Sequence, residues 1–425
     1  MLDSQRQPKN CSAGAFSTRC FENFAPRDVD LLGGAADSLS CKYLLGAFMS
    51  TVEEIIGRTD PNDFEAILAM TNTDPNEVIH AVEDNAECIY SWDYEKGSRP
   101  QLAKLYEKAK VGQWNGETDL PWETDVDQEA LATKEYETNG GAGDLMDLKG
   151  TGVESWGRNE WIKFNMESQN WALSQFMHGE QGALVCTAKI VETVPWMDAK
   201  YYASTQVVDE ARHVEVFAKY LDTKLSGTYP INVHLRMLLD EIIEDSRWDM
   251  TYLGMQIMVE GLALAAFGFI YQQSEEPLLK QLLRYVMSDE ARHVAFGVLS
   301  LKEVYTDMTQ AELRDRQEFA FEAALRMRDR FLQQEVWERM GADVRKIIPI
   351  AYADPLRQEF QQLLFTKIVP NCKKLGLLDA GDGWLRKKFG EIGVIQYEDW
   401  VDIEDEVDSF AITRELEEEA ALAES

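Results

Sequence analysis

Asp209-Glu210-Ala211-Arg212-His213 returns unchanged, 80 residues further on, as Asp289-Glu290-Ala291-Arg292-His293. A single Glu-x-x-His says little, because surface helices produce it by chance. An identical pair points to an internal structural repeat, and such a repeat must extend upstream. It does: thirty residues before Glu210 stands Glu180, and thirty before Glu290 stands Glu260. Each is followed at the same offset by an Ala-Leu pair, Ala183-Leu184 and Ala263-Leu264. At about 1.5 Å of rise per residue, fifteen helical residues run about 22 Å out to a reversal, and fifteen more return to the starting level. Pro195 lies at the midpoint of the first hairpin, and Glu275, just before Pro277, at that of the second. Two such hairpins side by side bring four carboxylates and two imidazoles to one depth.

Residues three apart on a helix share a face, so Glu210 with His213, and Glu290 with His293, point inward together. Four carboxylates in a core are prohibitively costly without a counter-charge, and two divalent cations supply one. Carboxylate and imidazole donors without a thiolate suit iron or manganese better than structural zinc. The candidate metal ligands are therefore Glu180, Glu210, His213, Glu260, Glu290 and His293, with Glu210 and Glu290 nearest the chemistry. One Glu from each of two helices, and a Glu-x-x-His from each of two others, is the general ligand pattern of ferritin-like dimetal bundles. Of the remaining histidines, His178 sits two residues from Glu180, off its face, and reads as a non-ligand. Glu167, Glu192, Glu215 and Glu244 read as surface or supporting groups.

Outward from the repeat, apolar periodicity predicts helices over 161–193, 196–221, 232–273 and 277–305, then 310–340 and 354–375. Upstream, short helical patterns cover 43–56 and 61–70. Asp60-Pro61 and Asp74-Pro75 read as helix starts, with Asp as N-cap and Pro in the first turn. Residues 115–152, rich in Gly, Asp, Thr and Pro and marked by Gly140, Gly141 and Gly143, read as loop. No segment has strand alternation, so the fold class is all-α. The expected organisation is an N-terminal arm with short helices and a Gly-rich loop (1–152), a dimetal four-helix bundle (153–305), C-terminal helices packed on it (306–397) and an acidic tail (398–425). That tail carries about a dozen acidic residues against the single base Arg414, the pattern of a solvated segment.

The net charge of -33 argues against nucleic acid and against an anionic membrane as partners, since both need a basic footprint. Residues 1–30 show no signal-peptide pattern. The longest apolar run, 255–270, carries Glu260 and reads as a buried core helix rather than a membrane span. Six scattered cysteines without a CxxC pair disfavour a zinc ribbon, an iron–sulfur cluster or a disulfide framework, and a reducing cytoplasm is the expected compartment.

Over residues 161–301 the chain resembles the carboxylate-bridged diiron proteins of the ferritin-like superfamily. These include multicomponent monooxygenase hydroxylases, ribonucleotide reductase small subunits, acyl-carrier-protein desaturases and benzoyl-CoA epoxidase. A vaguer likeness covers 105–127, through Tyr106-Glu107-Lys108 and Gln113-Trp114. The resemblance implies a ferritin-like four-helix bundle with additional N- and C-terminal helices, two Fe ions with Mn/Fe as a variant, and O2 as co-substrate. It assigns Glu180, Glu210 and His213 to one iron and Glu260, Glu290 and His293 to the other, with Glu210 and Glu290 bridging. It also pairs Asp209 with His293 and Asp289 with His213, and has Arg212 and Arg292 neutralise those aspartates.

The departures carry information. Ribonucleotide reductase small subunits place a radical tyrosine four residues after the first ligand histidine; Phe217 stands there, and Gly297 in the second repeat. Arylamine N-oxygenases have an extra histidine ligand four residues before the second Glu of the motif, where this chain has Val286. Monooxygenases and desaturases often place a threonine just after the third-helix glutamate; Ala263 and Leu264 occupy those positions. Leu173, Phe176, Met177, Leu253, Gln256, Ile257, Phe267 and Phe217 flank the ligands and would give a cavity suited to an apolar or aromatic molecule.

The expected activity is that of an O2-activating non-heme diiron monooxygenase or oxidase acting on a small organic substrate. Hydroxylation, desaturation, N-oxygenation and C–C cleavage all remain open. Without a flavin or nicotinamide fingerprint, electrons are expected from a separate reductase or ferredoxin, and family habit suggests a homodimer. The alternatives are a ribonucleotide reductase small-subunit-like oxidase, a ferroxidase or metal-handling protein, and a dimanganese catalase-like enzyme.

Overall fold

The computed structural model describes residues 60–68, 97–140 and 147–400, with residues 82, 84, 86 and 88 between them. All of these lie in one compact unit, Glu53–Ser425. Among the described residues there is no strand, and the architecture is a helical bundle with added helices.

The upstream part supplies α1 (Phe64–Leu68), α2 (Pro100–Val111) and α3 (Gln128–Asn139). The Asp60 carboxylate accepts from the Asn62 N–H and that of Asp63 from the Glu65 N–H. Asp60-Pro61 therefore opens a turn, and the helix starts after Asp63. The expected helix over 43–56 and the Asp74-Pro75 start lie outside the described residues. Helix α3 falls inside the segment read as loop. Its sequence, QEALATKEYETN, has almost no apolar face; it is held instead by the Asp127 cap, which accepts from the Ala130 N–H, and by the buried Gln128 amide, which donates to Asn170.

The first hairpin forms as spaced: α4 (Arg158–Thr193) and α5 (Met197–Lys224) reverse around Pro195. Helix α4 starts three residues early because the Glu160 carboxylate reaches back to the Gly157 N–H, at 2.9 Å. The second hairpin departs from expectation. The single helix expected over 232–273 is broken into α6 (Val233–Glu244), α7 (Trp248–Tyr252), a π-helical segment (Leu253–Val259) and α8 (Glu260–Gln273). Periodicity carries across the break, but Asp245 ends α6 by accepting from both the backbone N–H and the guanidinium of Arg247. Such local side-chain bonds compete with helix continuation. The stretch Trp248–Gln273 is apolar enough to cross a membrane, yet 72 % of its most apolar window is buried inside the protein, as a core helix requires.

Helix α9 (Pro277–Asp307) is capped by Glu276, which accepts from the N–H groups of Leu278 and Leu279. The helix expected over 310–340 divides into α10 (Gln310–Arg330) and α11 (Gln334–Arg339), because Gln333 adopts φ 55° between them. Then follow α12 (Val344–Tyr352), α13 (Pro355–Lys374), α14 (Trp384–Glu391) and a short 3-10 turn, Ile395–Tyr397. Glu398 pairs with Arg386 and Lys373; the acidic tail beyond residue 400 lies outside the described residues. Helices α4, α5, α8 and α9 form the bundle that encloses the repeat's carboxylates.

Candidate dimetal centre

Glu180 on α4, Glu210 and His213 on α5, Glu260 at the start of α8, and Glu290 and His293 on α9 meet in the bundle core, none more than 4 % exposed. His213 Nδ1 lies 3.3 Å from Glu180, 3.4 Å from Glu210 and 3.2 Å from Glu290. His293 Nδ1 lies 3.1 Å from Glu210, 3.8 Å from Glu260 and 3.7 Å from Glu290. The donor atoms fall into two groups, each within 4.8 Å: Glu180, Glu210, His213 and Glu290, and Glu210, Glu260 and His293. Glu210 belongs to both.

Each histidine turns its outer nitrogen to the aspartate of the other repeat. His213 Nε2 is 3.1 Å from Asp289, and His293 Nε2 is 3.4 Å from Asp209. An N–H donated outward leaves the Nδ1 lone pair facing the carboxylates, the tautomer a metal ligand needs. Arg212 donates to Asp209 at 2.5 Å and to Asp289 at 3.1 Å, and Arg292 donates to Asp289. The Gln113-Trp114 segment closes this outer layer. Trp114 Nε1 donates to Asp289 at 2.8 Å and Gln113 Nε2 to Asp209 at 2.8 Å, while the Arg212 guanidinium lies 4.6 Å over the Trp114 ring. His178 is elsewhere, bonded to Gln181 and to the Tyr229 carbonyl. Glu167 accepts from the Tyr229 hydroxyl and pairs with Arg339.

The fit to two cations can be tested on the protein's own atoms. Glu210 Oε2, Glu260 Oε2, both Glu290 oxygens and His293 Nδ1 are buried without a hydrogen-bond partner. Each such orphan costs roughly 1–3 kcal/mol or more, and all of them face the same space. Burial, then the neighbouring carboxylates, pushes the carboxyls of Glu180 and Glu260 well above the ordinary range. Burial opposes charge on both histidines, but the surrounding carboxylates outweigh it and raise His213 and His293. At Glu210 the two imidazoles outweigh burial and hold the carboxyl down. Burial acts against Asp289 too, but Arg292, His213 and Arg212 keep it anionic. In the metal-free protein, protons thus stand where two divalent cations fit.

The two ends of the cluster differ. Toward the Glu275 reversal stand Phe176 and Phe217, which with Phe267 form an aromatic wall with centroid separations of 6.1, 4.7 and 5.8 Å. Phe176 and Leu173 also line a cavity of about 800 Å3, together with Phe164, Leu279, Phe331 and Phe360. Toward the Pro195 reversal stand two amides. Gln206 Nε2 donates to Glu210 at 2.9 Å and to Glu260 at 2.8 Å, and Gln256 Nε2 donates to Glu260 at 3.3 Å. Sequence reasoning placed Gln256 beside the site but missed Gln206. Its signal was available, a polar residue four before Glu210 where the second repeat has Val286.

A family model described as P-aminobenzoate N-oxygenase matches residues 187–376, a little under half of the chain, from the end of α4 to just past α13. With the ligand cluster it decides the class. The chain is an oxidoreductase with a candidate dimetal centre, and its likeness to this family covers less than half of it. Among solved structures, it is similar to an R2-like ligand-binding oxidase with an aerobically reconstituted metal cofactor, at 15% identity, TM-score 0.44, covering 67% of this chain and 99% of that one. A variant of that oxidase with an anaerobically reconstituted Mn/Fe cofactor gives 16% identity and TM-score 0.43, covering 67% and 94%. No curated protein matches the chain in a sequence search.

Proposed function

We propose that this dimetal oxidoreductase activates O2 at a pair of iron ions and transfers one oxygen atom to a small aromatic molecule bearing an acidic group. The observation that carries this reading is the contact between two environments. A phenylalanine-lined cavity ends at Phe176, one helical turn from Glu180. Phenylalanines form one part of its lining, and polar side chains, Lys134, Gln169, Glu275 and Asp354 among them, form the rest; an apolar wall with placed polar groups is the usual form of a small-molecule site. One of those groups is Arg357, which lines the cavity, donates to the Phe331 carbonyl and keeps a buried Nε without a partner. Burial lowers its pKa, so an anionic group there would relieve an under-compensated charge. The acidic aromatic substrate named for the matched family agrees with this chemistry.

The two metals supply dioxygen reduction; the residues do the rest. Glu210, which belongs to both donor groups, would be a ligand common to the two ions, with Glu180, Glu290 and His213 in one group and Glu260 and His293 in the other. Asp289 and Asp209 keep each imidazole's proton on the outer nitrogen. Phe176, Phe217 and Phe267 exclude water from the reacting space. Val286 and Phe217 place no nitrogen donor and no phenol at those two positions, which favours transfer to the substrate over storage of a protein radical there. A separate donor supplies two electrons, and with two protons the second oxygen atom leaves as water. The cytoplasm fits the buried free thiols Cys186 and Cys372, and a homodimer is the expected assembly.

The test is reconstitution with Fe(II) and a chemical reductant, then 18O2 with a panel of benzoates and aminobenzoates. An 18O-labelled product from the loaded enzyme, with the amine or ring as the oxidised position, supports the reading. Two bound irons with no labelled product from any aromatic acid would overturn the substrate assignment.

A further inference from the structure

The internal repeat makes every residue near the centre one of a pair, and three pairs are unlike. Gln206 and Val286 each stand four residues before the motif's glutamate. Gln256 and Phe176 each stand four before the upstream glutamate. Gly297 and Phe217 each stand four after the histidine. The polar or small member always falls on the Pro195 side and the apolar member on the Glu275 side. Two of these positions belong together sterically: a Cβ on Gly297 would meet Gln256 Cβ at 2.5 Å, so the glycine makes room for Gln256.

We infer that Gln206, seconded by Gln256, is a positioning residue that makes the metal position at His293 different from that at His213. This rests on the dimetal reading of the site. Gln206 is fully buried and its single NH2 group bonds Oε1 of Glu210 and of Glu260. Gln256 bonds the same Glu260 oxygen. Glu260 is therefore left with Oε2 alone, unpartnered and 3.8 Å from His293 Nδ1. It presents one oxygen in a fixed orientation. Glu180 has no amide on it; its bond is to His213. The amide oxygens of Gln206 and Gln256 are themselves buried without partners, so both side chains are held by their NH2 groups alone. The His293 position is the ordered one, with two carboxylates and dipolar support. The His213 position lies beside the aromatic wall and has no amide bonded to its Glu180.

The experiment is a stepwise Fe(II) titration of the metal-free full chain under anaerobic conditions, followed by calorimetry and by the circular dichroism of the loaded site, for wild type, Gln206→Leu and Gln206→Met. The inference expects one of two binding steps to weaken about 10- to 100-fold, the usual effect of removing an outer partner of a ligand, with the other step and the far-ultraviolet spectrum unchanged. Gln256→Leu should weaken the same step by less, since its bond is longer. Gln206→Met keeps the length and flexibility of the side chain, so it reports the lost bonds if the leucine variant does not fold. Two unchanged steps in a folded Gln206 variant would overturn the inference and leave the dimetal site standing. Equal weakening of both steps would overturn it too, as a general packing effect. A wild type that binds no metal would overturn the site reading itself, and the role of Gln206 with it.

Discussion

The two halves of the repeat share a motif and a spacing but are built differently. Glu180 sits mid-way along an unbroken helix of 36 residues, Arg158–Thr193. Glu260 begins its helix, directly after a π-helical segment whose residues are all buried. Around them, the first half offers phenylalanine where the second offers glutamine, and glutamine where the second offers valine. The duplicated core supplies charge balance, which needs both halves alike. The unlike flanks supply function, which needs one side dry and open to a substrate and the other closed and polar.

The largest effect should come from the residue that both donor groups share. Glu210→Ala is expected to abolish metal binding. Glu260→Ala removes a donor from the His293 group only and should leave about one ion per chain, counted by elemental analysis after anaerobic loading. Equal losses in the two variants would break the comparison between the positions. Next in size are the aspartates. Asp289→Asn should weaken metal affinity about 10- to 100-fold, and Asp209→Asn by less. Asp289 accepts from His213 at 3.1 Å and from Trp114 at 2.8 Å and carries both arginines; the Asp209 bond to His293 is 3.4 Å. Unchanged affinity for Asp289→Asn would count against its role in fixing the ring.

The pH dependence separates the empty from the loaded protein. Without metal, His213, His293, Glu180 and Glu260 are all shifted upward, so the folded state binds more protons than the unfolded one. These groups contribute stability that is present below their unfolded pKa values and lost as pH rises through the folded ones. The groups held down, Glu210 and Asp289, contribute above the ordinary carboxylate range and so do not oppose this loss. Above the ordinary histidine value of about 6.5, the metal-free protein should lose stability while metal binding strengthens, because fewer protons must be displaced. The difference in melting temperature between loaded and empty protein is expected to widen with pH; a constant or narrowing gap would contradict the assignment of those protons to the site.

Much of this was legible in the sequence, for a physical reason. Charge balance forces the ligand set to repeat, and helix rise fixes its spacing, so Glu180 and Glu260 follow from Glu210 and Glu290 by counting. What was hidden depends on local bonds that periodicity does not register. The Asp245–Arg247 pair ends α6 inside an unbroken apolar pattern, and α3 forms with hardly any apolar face because Gln128 anchors it. The roles of Gln113 and Trp114 come from residues some hundred positions away in the chain. Gln206 was hidden because glutamine in a helix ordinarily reads as surface, and only its comparison with Val286 marks it.

The smallest effect is the most diagnostic of the unlike flanks. Gly297→Ala adds one methyl group where Gln256 Cβ would lie at 2.5 Å and Ile257 Cδ1 at 3.2 Å. Overpacking of this kind costs about 1–3 kcal/mol, a modest fall in melting temperature. The direction of the strain matters more than its size. Gln256 must give way, and its amide bonds Glu260, so the alanine variant should weaken the His293 position without touching the aromatic wall. The counterpart, Phe217→Leu, sits at the same place in the other half, against Phe176 and Phe267. It should leave metal affinity unchanged and alter the size of substrate accepted. If the two variants gave the same phenotype, the halves would differ in packing alone, and the division into a polar metal-holding side and an apolar substrate side would fail.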